Sequence, residues 1–157
     1  MNKKMVIIST IVLIIDQITK SMAQIYSVNI SLIGNFFRLS YYQNTGAAWS
    51  ILEGRQTLLI VISLIMLVLV FNMMYSYENN KLNNTAFGLL VGGILGNLID
   101  RIFNGYVRDF LEFNIFGYNF PIFNIADMGI VIGVILVLLS TIKGEFKDGS
   151  KGRRKLN

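Results

Sequence analysis

Four stretches of the chain run apolar for long enough to cross a bilayer, and polar residues collect near their ends. The stretches are about Met5–Ala23, Leu58–Ser76, Ala86–Ile102 and Ile122–Ile142. Each is near the ~17–25 residues that a membrane helix requires. The second, LLIVISLIMLVLVFNMMYS, carries no charge. The third is short and rich in small residues, which predicts a helix packed among others rather than one facing lipid. Between the first two stretches, about 24–56, the period changes. Ser27–Ile33 and Phe36–Tyr42 alternate like strands on either side of Gly34-Asn35, a hairpin signal. A second connection, about 103–121, opens on Asn104-Gly105 and alternates in part. Pro121, the only proline, suits the first turn of the fourth helix, where a missing N–H costs little. The expected fold is therefore an all-α membrane protein, one integral domain over 1–157. It is a four-transmembrane-helix bundle with a small extracytoplasmic β-sheet between helices one and two.

Charge orients this bundle. The formal net charge is +5, but it is segregated rather than spread. Lys3 and Lys4 precede the first stretch, and Lys81 lies between the second and third. Lys143, Lys147, Lys151, Arg153, Arg154 and Lys155 fill the tail, about 143–157. The two long connections hold only Arg38, Arg55, Arg101 and Arg108 outside the helix interiors. By the positive-inside rule both termini face the cytoplasm and the long connections face outward. The tail then reads as a topology determinant beside anionic lipid, not as a nucleic-acid surface. The N-terminus imitates a cleavable signal peptide, but Asp16, Gln17 and Lys20 interrupt its apolar run and three further spans follow. A retained first helix is expected.

The chain has neither histidine nor cysteine, so Ser-His and Cys-His catalysis, thiolate sites and the usual zinc sites are excluded. Any proton chemistry must then run on groups such as the carboxylates. Asp127 stands inside the fourth apolar stretch, where a carboxylate is costly and by default suggests function. Asp16 lies about six residues, roughly 9 Å, from the outer end of helix one, and Asn97, Asp100 and Arg101 lie at the outer end of helix three. Three helices thus bring polar residues to one depth near the outer boundary. Asp16 and Lys20 are spaced i,i+4 and share a face, Asn124 lies three residues before Asp127, and Arg101 is the expected partner of Asp100. Gly92/Gly96 and Gly129/Gly133 are spaced for close helix approach. Two close carboxyls share a proton and can direct water at a peptide bond, with Asp109 of the second connection available beside Asp127. A proton-coupled transporter, a Ser21–Lys20 peptidase and a non-catalytic lipid- or peptide-binding protein remain open on these grounds.

Five ordered blocks resemble the lipoprotein signal peptidase (signal peptidase II) family: Asp16-Gln17-Ile18-Thr19-Lys20, Asn44-Thr45-Gly46-Ala47-Ala48, Gly96-Asn97-Leu98-Ile99-Asp100-Arg101, Val107-Arg108-Asp109-Phe110 and Phe123-Asn124-Ile125-Ala126-Asp127. Trp49 stands where that family more often has phenylalanine. The resemblance implies an aspartic endopeptidase of the bacterial cytoplasmic membrane, cleaving prolipoproteins before a diacylglyceryl-modified cysteine. Asp109 and Asp127 would be its catalytic dyad. Asn97, Asp100, Arg101, Asn124, Asn44 and Gly46 would shape the site, with Asp16 and Lys20 supporting it. It implies no cofactor and no metal, substrate chains held by membrane lipids, and binding of the cyclic peptide globomycin. The sheet would be the family's β-cradle.

Overall fold

The computed structural model describes residues 2–47, 49 and 51–144. In chain order the elements are α1 (Lys3–Ile25), β1 (Asn29–Ile33), β2 (Phe37–Asn44), α2 (Gln56–Ser76), α3 (Lys81–Asn104), β3 (Val107–Ile115), β4 (Tyr118–Asn119) and α4 (Ile125–Ile142). All four helices are long and apolar enough to span a membrane. The tail beyond Gly144, expected to be a topology determinant, lies outside the described residues.

Helix α3 is the axis of the bundle. It packs against α1, α2 and α4, and 67% of its apolar window is buried inside the protein, against 17% for α2. The expectation from its small residues is met. Lipid is as apolar as leucine, so close packing must supply the attraction between helices. Glycines permit it at Gly93, where a Cβ would overlap the Ala126 carbonyl of α4, and at Gly96, where a Cβ would lie 2.5 Å from the Asp16 carboxylate of α1.

Caps, not hydropathy, set the helix ends. Helix α3 begins well before the expected Ala86, because the Asn80 side chain accepts the Asn83 N–H at 2.9 Å as an N-cap. Asn83 and Asn84, which look like loop residues, are buried with their amides bonded to Glu78 O and Asn79 Oδ1 at 2.9 Å each. Gly105, at φ +79°, closes α3 with its N–H on Arg101 O. Helix α4 begins later than expected, at Ile125, so Pro121 lies before the helix and not in its first turn. The reason is Asn124, whose side chain accepts the Asp127 N–H at 2.9 Å while Asp127 Oδ2 accepts the Asn124 N–H at 3.1 Å. This reciprocal capping box fixes the start.

The sheet expected from the connection between helices one and two is present as β1 and β2, and it extends beyond that connection. It has four antiparallel strands in the order β1-β2-β3-β4, and β3 and β4 come from the second long connection. The two long connections are thereby joined, with Tyr42 opposite Asp109 and Asn44 opposite Val107. A bulge between Leu39 and Tyr42 sets this register for the end of β2. Phe123 then pairs with Leu111 as an isolated bridge, which docks the entry to α4 along β3.

Candidate active site

Asp109 is a residue of strand β3, not of a loop as the sequence suggested. Its neighbours follow from the strand pairings. Asn44 sits two residues beyond the partner of Asp109 on β2, on the same face, and its Nδ2 donates to Asp109 Oδ2 at 2.9 Å. Gly46 in turn donates its backbone N–H to Asn44 Oδ1 at 2.9 Å, fixing that amide. From the other side the Leu111–Phe123 bridge presents Asn124, whose Nδ2 donates to Asp109 Oδ1 at 2.6 Å. Asp109 is thus held through both oxygens and almost fully buried. Burial, then the negative charge of Asp127, push its carboxyl up to about 7, against the opposing bonds from Asn44 and Asn124 and the charge of Lys20.

Asp127 is the third residue of α4 and is partly exposed. Asn97 of α3 donates Nδ2 to Asp127 Oδ1 at 2.7 Å. The Asn97 amide is oriented by two donors to its oxygen, Lys20 Nζ at 2.9 Å and Asn124 Nδ2 at 3.2 Å. Arg101 reaches from α3 to Gly46 O at 3.2 Å. It ties the segment after β2 to the bundle and does not form the expected pair with Asp100. Adjacent helix positions point about 100° apart, so that pairing was geometrically disfavoured.

Beneath the two aspartates lies a fully buried ionic cluster. Lys20 Nζ is 2.8 Å from Asp16 Oδ2 and 3.5 Å from Asp100 Oδ2, with no exposure on any of the three side chains. Asp16 Oδ1 accepts the Ala126 N–H at 2.9 Å, so α1 and α4 meet at one level although α1 continues to Ile25. The partner of Asp100 is Arg108, with Nη2 at 2.7 Å from Oδ1. Arg108 also bonds Gln17, Ser21 and Gln24 of α1. Sequence reasoning gave neither Arg108 nor Gln17 a part in the site. The signal available was strand alternation: a residue next to Asp109 on a strand faces the opposite way, here toward the helices. Lys20 is occupied by carboxylates and Ser21 accepts from Arg108, so these two do not form a Ser-Lys pair.

Asp109 and Asp127 both line a cleft of about 980 Å³. Its polar end holds Asn44, Asn97 and Arg101, and its apolar wall includes Ile62 and Met66 of α2, Ile94 of α3 and Val134 of α4. Trp49 borders it, donating Nε1 to Tyr118 OH at 3.2 Å. The fold and this cleft define a class: a membrane-spanning helical protein with two carboxylates at the end of an apolar groove.

Comparison with known proteins narrows the class. Residues 8–143 match the family model described as signal peptidase (SPase) II. Lipoprotein signal peptidases of Staphylococcus aureus strains JH9 and Newman are each 41% identical over 142 residues, covering 88% of this chain and 87% of theirs. Two solved bacterial membrane enzymes, determined by the in meso method at 2.3 and 1.9 Å, are each 38% identical, with TM-scores of 0.80 and 0.77. These alignments cover 88% of this chain and 87% and 92% of the solved chains. The chain belongs to the signal peptidase II family. It is a protease and a multi-pass protein of the bacterial cell membrane.

Proposed function

We propose that this protease removes the signal peptide from prolipoproteins, cleaving before a diacylglyceryl-modified cysteine with Asp109 and Asp127 as its catalytic dyad. The observation that carries the reading is the cleft: two carboxylates from different elements share the polar end of a groove whose wall is apolar. The acyl chains of a lipidated cysteine fit the apolar wall, and the peptide bond then lies at the carboxylates. With both termini cytoplasmic, the sheet and the dyad sit near the outer boundary of the membrane, where such a substrate presents its cleavage site.

The dyad holds one proton. Asp109, raised to about 7, is its carrier at neutral pH and donates toward the scissile carbonyl oxygen. Asp127, with Asn97 and the Asn124 N–H directed at its two oxygens, takes a proton from water as the water attacks the carbonyl carbon. Collapse of the tetrahedral intermediate breaks the C–N bond: the proton on Asp127 passes to the leaving nitrogen, and one hydroxyl of the intermediate returns its proton to Asp109 as the new carboxyl group forms, restoring the one-proton dyad. Globomycin, a cyclic peptide, would occupy the same cleft and compete with substrate.

Asp109→Asn and Asp127→Asn are each expected to abolish cleavage of a diacylated prolipoprotein by the purified, folded enzyme. Normal turnover by either variant would remove the dyad assignment. Retained substrate binding by Asp109→Asn without cleavage would separate catalysis from binding.

A further inference from the structure

Arg108 is heavily bonded, to Asp100 and to three residues of α1, and the reaction as written does not use it. It is buried and precedes Asp109 on β3. Its backbone N–H donates to Asp100 Oδ2 at 2.9 Å, and its guanidinium reaches Asp100 Oδ1 from Nη2 at 2.7 Å and from Nε at 3.2 Å. The remaining donors fan out along α1, to Gln17 Oε1 at 2.9 Å and to Ser21 Oγ and Gln24 Oε1 at 3.2 Å each. One side chain therefore fastens β3 to α3 and α1 at the residue beside Asp109.

The same contacts set a charge balance. The buried cluster holds two carboxylates, Asp16 and Asp100, and two cations, Lys20 and Arg108. Arg108 takes Asp100 closely, at 2.7 Å, while Lys20 stands off it at 3.5 Å. Lys20 is thereby left to Asp16 and to Asn97, and Asn97 in turn presents its Nδ2 to Asp127. Without the guanidinium, Asp100 would keep only the more distant Lys20 as its counter-charge and would draw it off Asn97.

We propose that Arg108 is a positioning residue for both aspartates: its backbone and guanidinium seat Asp109 through Asp100, and its charge keeps Lys20 on Asn97 and so Asn97 on Asp127. The proposal rests on the dyad reading. Lysine in its place would keep the charge but lose the fork that serves Asp100 and α1 together.

The test is steady-state cleavage of a diacylglyceryl-modified prolipoprotein by the full chain in detergent, comparing Arg108→Met, Arg108→Lys and Asp127→Asn with the wild type. A displaced catalytic group costs up to about a hundredfold in rate. Arg108→Met is expected to lose at least about tenfold in kcat with KM within about threefold, and Arg108→Lys to recover part of that loss. Unchanged kcat in Arg108→Met, or a loss confined to KM, would overturn the proposal. If the methionine variant does not fold, Arg108→Lys decides alone: a kcat loss of about threefold or more supports the proposal, and wild-type kinetics overturn it. Asp127→Asn separates the two readings. Turnover by that variant overturns the dyad itself, whereas an inactive Asp127→Asn beside a normal Arg108→Met overturns only the positioning role.

Discussion

Asn124 links the two aspartates physically: its Nδ2 donates to Asp109 Oδ1 at 2.6 Å, and its Oδ1 accepts the Asp127 N–H at 2.9 Å. The residue that starts α4 is also the residue that holds the carboxylate of β3. Local structure and site geometry are here one constraint.

Asn124→Ala is therefore expected to damage turnover more than folding. Loss of an N-cap costs about 1 kcal/mol, worth roughly 2–4 °C in a chain of this size. In the proposed mechanism Asp109 becomes charged as it gives up its proton, and loss of a hydrogen bond to a charged group costs about 1.5–3 kcal/mol, which becomes roughly tenfold to a hundredfold in kcat. Thermal unfolding in detergent and single-substrate kinetics measure the two effects separately. A lowered melting temperature with wild-type kcat would reduce Asn124 to a cap.

The pH dependence has a definite sign. Burial and the Asp127 charge raise the Asp109 carboxyl to about 7, so it keeps its proton up to neutrality and loses it above. The proposed mechanism requires one proton on the two aspartates, so it predicts that kcat/KM falls as pH rises through about 7. Asn44 donates to Asp109 Oδ2 and favours the charged form. Asn44→Ala should then move the falling limb to higher pH. A pH–rate profile flat across this region, or a limb displaced downward in Asn44→Ala, would contradict the assignment of Asp109 as proton carrier.

At Gly96 the bundle leaves no room. A Cβ there would lie 2.5 Å from Asp16 Oδ2 and 3.2 Å from the Ala126 Cβ, and Asp16 is held by both Lys20 and the Ala126 N–H. Gly96→Ala must push α1 or α4 away or break one of those bonds. Overpacking of this kind costs about 1–3 kcal/mol, and activity should fall with it because Ala126 adjoins Asp127. Unaltered thermal stability of Gly96→Ala would mean that the helices are less tightly apposed than the structure shows.

The helices were legible because hydropathy is a property of consecutive residues. Their ends were not, because Asn80 and Asn124 act through cap bonds that a hydropathy window scores as polar interruption. Pairing of β2 with β3 joins residues 37–44 to residues 107–115, and no local pattern specifies partners that far apart. Proximity in sequence misled at Asp100, where the adjacent Arg101 looks like the partner and Arg108 is the partner found. The ten candidate site residues nevertheless come together around one cleft and the ionic cluster beneath it. Polar residues inside apolar helices had few other places to be satisfied.

Lys20 is the last and most severe case of that rule. Its ammonium is fully buried, 2.8 Å from Asp16, 2.9 Å from Asn97 Oδ1 and 3.5 Å from Asp100. Removing one partner of a buried ion pair costs about 3–5 kcal/mol, because the other charge is left unpaired. Lys20→Met should therefore lower stability strongly. In the Lys20→Met background, Asp16→Asn removes the carboxylate left without its cation, so the double variant should unfold at a higher temperature than Lys20→Met alone. A double-mutant cycle on thermal unfolding in detergent measures this coupling. If the two substitutions simply add, Lys20 and Asp16 are not energetically paired, and the buried cluster is held by Arg108 and Asp100 instead.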